Sequence, residues 1–135
     1  MAYFVEWNGY LSVNVKTIDD QHKKLIEIAN RIYNARLEGR SGDVEKGAVA
    51  ELLNYGGEDL GREEALMIEK GYLAFSGHET MHDQFRSELK GLSSLQKEGV
   101  PVTDQLLEFL KKWLMGHVLK ADKEAGLFLN GKGIT

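Results

Sequence analysis

Four stretches of this chain repeat apolar residues every three or four positions, and the first three end at glycine. That period puts one buried stripe on each stretch, which is the signature of amphipathic helices rather than of strands. The first is expected from about Ile18 to Leu37, with Leu25, Ile28, Ala29, Ile32 and Ala35 as its stripe and Gly39 beyond its end. Thr17 and Asp20, three apart, resemble a capping box at its start. The second is expected from near Asp43 to about Lys70, where Gly71 stops it. Val49, Leu52, Leu53, Leu60, Leu66 and Met67 supply its apolar contacts, and the tandem Gly56 and Gly57 weaken its middle. The third begins at Ser76, again with a capping-box partner at Glu79, and runs to about Lys97 before Gly99 and Pro101. The fourth is capped by Thr103 and continues through Leu106, Leu110, Trp113 and Leu114 to about Ala125.

No run of any length alternates like a strand. The first 16 residues are rich in aromatic and β-branched side chains without helical period, and read as an extended arm laid across the helices. Four helices of similar length joined by short loops predict an all-α, up-down-up-down four-helix bundle with an extended N-terminal arm, one domain over residues 1–135.

Composition removes several classes of function. A net charge of −4 without a basic cluster gives no footprint for nucleic acid. No apolar run approaches the ~18 residues of a membrane span, and nothing near the start has the basic-then-apolar pattern of a leader, so a cytoplasmic location is the expectation. With 0 cysteines there are neither disulfides nor thiolate ligands. No feature names a protein partner.

The chemistry follows the histidines. All 4 fall within predicted helices, on their apolar sides: His22 in the first, His78 and His82 in the third, His117 in the fourth. His78 and His82 are four apart, so their imidazoles lie on adjacent turns of one face. A lone histidine on an apolar face is more often a satisfied core residue, but here carboxylates join the pattern: Glu63 on the second helix and Asp122, five after His117. All four helices then offer imidazole or carboxylate. Nitrogen and oxygen donors without sulfur suit iron, manganese or zinc, and shared carboxylates suit a pair of ions.

Three motifs now carry a resemblance. Trp7, Leu11-Ser-Val13 and IDDQHK (18–23), then Gly71-Tyr72 with HETMHDQF (78–85), then LKKWLMGHVLKAD (110–122) occur in an order and spacing that resembles the bacteriohemerythrins. The resemblance implies a non-haem di-iron centre, carboxylate- and oxo- or hydroxo-bridged, that binds O2 or another small diatomic or anion. It implies that His78, His82 and His117 hold one iron, that His22 holds the other, and that Glu63 and Asp122 bridge them.

The second helix departs from the pattern. In YGGEDLGREE (55–64), Asp59 stands where the family has a histidine ligand, and Leu60 replaces an aromatic residue. Asp59 is either a ligand or an acid beside a site that has lost one. As a ligand it adds an anion, which favours the oxidised state of the pair. Glu58 and Glu64 read as surface acids, and Trp113 and Phe85 as packing around the site. Two functional classes stay open. One is an O2 carrier, store or sensor; the other is an enzyme-like di-iron protein that reduces peroxide or oxidises a small substrate. A bundle with a degenerate or purely structural metal site is the third reading.

Overall fold

The computed structural model describes residues 2–135. Four helical rods form an up-down-up-down bundle: each packs on the next in sequence, and the fourth returns to pack on the first. The first rod is α1 (Lys16–Leu37). The second comprises α2 (Ser41–Asn54), a π-helical stretch Tyr55–Asp59 and α3 (Leu60–Lys70). The third is α4 (Phe75–Lys97). The fourth comprises α5 (Thr103–Lys112), a longer π-helical stretch Trp113–Ala121 and α6 (Asp122–Gly131).

The expected stop signals act as glycine permits. Gly39, Gly71 and Gly99 adopt φ of 70°, 74° and 85°, the left-handed region that ends a helix cheaply only without a Cβ. The expected starts need correction. Helices begin at the predicted cap or one residue before it, so Thr17, Ser76 and Thr103 lie inside first turns, and Val15, Ala74 and Val102 occupy the N-cap positions without side-chain caps. Longer-range carboxylates serve two of these starts instead. Asp19 accepts hydrogen bonds from the Val13 amide (2.8 Å) and the Ser12 hydroxyl (2.6 Å), tying the arm to α1. Buried Glu45 of α2 accepts from the Val102 amide and the Thr103 hydroxyl, so Thr103 donates across the bundle rather than capping its own helix. The fourth rod also runs past the expected Ala125, to Gly131, and Leu53 of the predicted stripe is exposed.

The arm is held by its backbone. Asn30 of α1 accepts from the amides of Phe4 and Val5 and donates to the Val5 carbonyl, while Asn34 pairs in the same way with Ala2. Farther along, after a short 3-10 turn (Gly9–Leu11), Leu11, Val13 and Val15 point inward. Two apolar clusters result. The larger joins Leu25, Ile28, Ile32, Leu52, Leu89 and Leu106 through the bundle; the smaller seats Val13, Val15 and Ile18 against Leu129. The polar layer lies between them. His22 falls between Ile18 and Leu25, Glu63 between Leu60 and Leu66, and Asp122 between Val118 and Leu129.

Candidate metal centre

Four rods deliver their polar side chains to one buried layer. His22, Glu63, His78, His82, His117 and Asp122 are each no more than 4% exposed. They form two overlapping groups of donors: His78, His82, His117 and Asp122 in one, and His22, Glu63 and Asp122 in the other. Within each group the donor atoms lie within 4.8 Å of one another, and Asp122 belongs to both.

Asp122 reaches both groups because of the π-helical stretch. In an α-helix five residues turn by about 500°, leaving His117 and Asp122 about 140° apart. The i→i+5 bonding of a π-helix, seen in the Asp122 amide bonded to the His117 carbonyl, brings the two onto one face. The Oδ1 atom of Asp122 then sits 2.9 Å from His117 Nε2 and 3.0 Å from His78 Nε2, while Oδ2 sits 2.9 Å from His22 Nε2. The second rod has its own shorter π-helical stretch beside the site, where the Leu60 amide bonds to the Tyr55 carbonyl.

These contacts leave the polar atoms short of partners. Both carboxylate oxygens of Glu63, Asp122 Oδ1, His78 Nε2 and the Nδ1 atoms of His22 and His117 are buried without a hydrogen bond. His82 Nε2 and His117 Nε2 face each other at 3.2 Å, two ring nitrogens that share one proton at most. Buried polar groups are rarely left this way, because each costs ~1–3 kcal/mol. The electrostatics agree. Burial first, then the neighbouring rings of His78 and His117, pushes His82 down to about 2, and burial also lowers His117. Burial and the nearby Asp122, Asp59 and Glu64 push Glu63 well above its ordinary range. Burial acts on Asp122 in the same upward sense, but the close imidazoles of His117, His22 and His78 outweigh it and hold its carboxyl well below that range. Neutral imidazoles around paired carboxylates are the donor chemistry of a divalent metal site, and the residues present fit one.

Asp59 is placed differently. It is buried, at 3% exposed, yet it lies outside both donor groups. Its two oxygens are taken by cations: Oδ2 lies 3.2 Å from Lys24 Nζ and Oδ1 lies 3.2 Å from Arg62 Nη1.

Glu64 corrects the expectation of a surface acid. It is largely buried, its Oε2 lies 2.7 Å from His82 Nδ1, and Arg86 donates to the same oxygen at 2.6 Å. Arg86 also donates through Nε to the Gly56 carbonyl at 2.7 Å, inside the π-helical stretch. One guanidinium therefore joins the irregular backbone of the second rod to the ring of His82. The signal in the sequence was weak: Glu64 follows Glu63 directly on α3, and only the arrival of His82 and Arg86 from α4 gives it partners. Trp113 and Phe85 pack as expected. The Trp113 ring stacks on His117 at 3.8 Å and 8°, and Phe85 lies 4.6 Å from Trp113.

Comparison with known proteins places this geometry. Residues 13–126 match the family described as the Hemerythrin HHE cation binding domain. The chain is 30% identical to the bacteriohemerythrin of Methylococcus capsulatus over 127 residues, covering 93% of this chain and 96% of that one. It is 29% identical to the bacteriohemerythrin of Pseudomonas aeruginosa over 122 residues, covering 90% of this chain and 78% of the relative. Its fold superposes on the crystal structure of a mutant hemerythrin with a TM-score of 0.85 at 25% identity, over 95% of this chain and 98% of the other. A bundle whose four rods converge their histidines and carboxylates on one buried layer, and whose sequence matches over residues 13–126, belongs to the hemerythrin family.

Proposed function

We propose that this chain is a non-haem di-iron protein that binds O2, as a carrier, store or sensor. The supporting observation is the pair of overlapping donor groups sharing Asp122, buried and with several polar atoms lacking a hydrogen bond, in a layer between two clusters of apolar residues. His78, His82 and His117 would hold one ion, His22 the other, and Asp122 and Glu63 would link the two. Iron bound there supplies the electrons that make O2 binding reversible. The protein's own contribution is preparation: Glu64 fixes the His82 ring, burial keeps His82 and His117 neutral, and the apolar layers exclude bulk water.

A second reading, a di-iron enzyme acting on peroxide, is favoured by one feature. A cleft of 360 Å³ between α1 and α3 has Glu63 among its lining residues, a volume larger than O2 needs. Metal analysis and the visible spectrum of the reduced, iron-loaded protein before and after O2 test the first reading. A reversible new absorption band with two irons per chain is expected. Absence of iron after anaerobic reconstitution would sink both readings, and rapid peroxide consumption without a reversible band would select the second.

A further inference from the structure

The two donor groups are not equivalent, and the difference is built by residues outside them. The nitrogen-rich group has three imidazoles and the shared carboxylate of Asp122. The other has one imidazole, His22, with Glu63 and that same Asp122. The residue whose sequence position would complete the poorer group is Asp59, one helical turn before Glu63, and it is held away. Lys24, two residues after His22, and Arg62, beside Glu63, fold their charged ends inward and occupy both of its oxygens, although their side chains are 46% and 66% exposed. Arg62 also pairs with Glu58 at 3.1 Å, so the two cations are matched by two acids, and what the arrangement withholds from this position is a carboxylate that would otherwise attract a second positive ion. The cleft between α1 and α3 reaches the same place, with Gln21, Arg62, Glu63 and Leu66 among its lining residues.

We infer that Lys24 and Arg62 form a clamp that keeps Asp59 out of the metal centre, so that the His22–Glu63–Asp122 position binds a hard divalent cation weakly and exchangeably beside a tightly held ion at His78, His82 and His117. The inference rests on the di-metal reading above and specifies how its two positions differ. It makes Asp59 a spectator while clamped and a latent ligand when released.

The test is anaerobic titration of the whole chain with Co(II), followed by its visible absorption, with Fe(II) equilibrium dialysis and elemental analysis as an independent count. Two resolved steps are expected, the second weaker by about tenfold or more, the range that a missing or misplaced partner costs a metal site. Asp59→Asn, which keeps the side-chain volume, should leave the second step within about threefold. Lys24→Met with Arg62→Met should strengthen the second step, and by more in the Asp59 chain than in Asp59→Asn; that surplus isolates the released carboxylate from the mere loss of positive charge. Two steps of equal affinity overturn the clamp while leaving a di-metal protein. So does a tenfold weakening of the second step by Asp59→Asn, or a double variant with no surplus. Failure to bind any ion overturns both this inference and the function it rests on.

Discussion

Glu64 shows how much a single residue next to the donors controls. Among the described residues its carboxylate is the hydrogen-bond partner of His82 Nδ1, and Arg86 holds that carboxylate in turn. Glu64→Ala should free the ring and leave its nitrogen unpaired, lowering Fe(II) affinity about 10- to 100-fold. Glu64→Gln, which keeps an acceptor oxygen, should cost less. Anaerobic equilibrium dialysis measures both, and equal affinities for both variants and the parent would make Glu64 a bystander. Asp59 and Glu64 also mark the limit of reading at this scale. Both are acids near Glu63 in sequence, and nothing in residue type says that one turns to a histidine and the other to Lys24 and Arg62. That depends on where Arg86, 22 residues beyond Glu64, and Lys24, 35 residues before Asp59, arrive in space.

At the scale of elements, glycine positions separate rods that tolerate a side chain from one that does not. A Cβ on Gly61 meets nothing within 4 Å, whereas one on Gly126 of α6 would lie 2.6 Å from the Val13 carbonyl oxygen. The arm crosses α6 at that point, and backbone cannot yield there as a flexible side-chain end does. Gly61→Ala should therefore stabilise by up to ~1 kcal/mol, from helix propensity alone. Gly126→Ala should destabilise by about 1–3 kcal/mol through overpacking. Thermal melts of the two variants should move in opposite directions; a shared sign would mean the arm is not seated on α6. The rods themselves were legible in the sequence because apolar period and terminal glycines are local properties, and Gly39, Gly71 and Gly99 end their helices as read. The tandem Gly56 and Gly57 marked the shorter π-helical stretch as a weak point, but the longer one was not legible. Extra backbone turn leaves no residue signature, since Trp113 to Ala121 keeps an apolar pattern that an α-helix would satisfy equally well. Caps misled for a related reason: the sequence offers Thr17 and Thr103, but those starts are tied to the arm and to Glu45 from another rod.

For the molecule as a whole, the buried layer ties folding to protons and metal together. In the metal-free protein burial and the neighbouring imidazoles push His82 down to about 2, against an ordinary value of 6.5 in the unfolded chain. The unfolded state thus binds more protons across that window, so this contribution to stability is present above 6.5 and is lost as pH falls through it, at up to ~1.4 kcal/mol per pH unit. His117, also lowered, acts in the same sense. Asp122, held low, loses its contribution as pH falls from 3.8. Glu63 opposes them: raised above 4.5 in the fold, it contributes at low pH and loses that as pH rises. Two histidines against one carboxyl, joined by Asp122 below 3.8, predict that urea midpoints of the metal-free protein fall on acidification below about 6.5. Midpoints that rise there would contradict the buried neutral histidines. Bound metal should lift the midpoint at neutral pH, since binding only the folded form stabilises it by mass action, and a chelator should reverse the gain. The stacking of Trp113 on His117 has a further consequence, in light rather than energy. The chain has 2 tryptophans, and the other, Trp7, sits on the arm with Lys23 Nζ 5.1 Å from its ring. Emission from Trp113 should be quenched as iron or cobalt loads beside its stacked partner, while Trp7 keeps shining, and Trp113→Phe should leave only the steady signal. Occupancy of the centre can then be followed by fluorescence without a label.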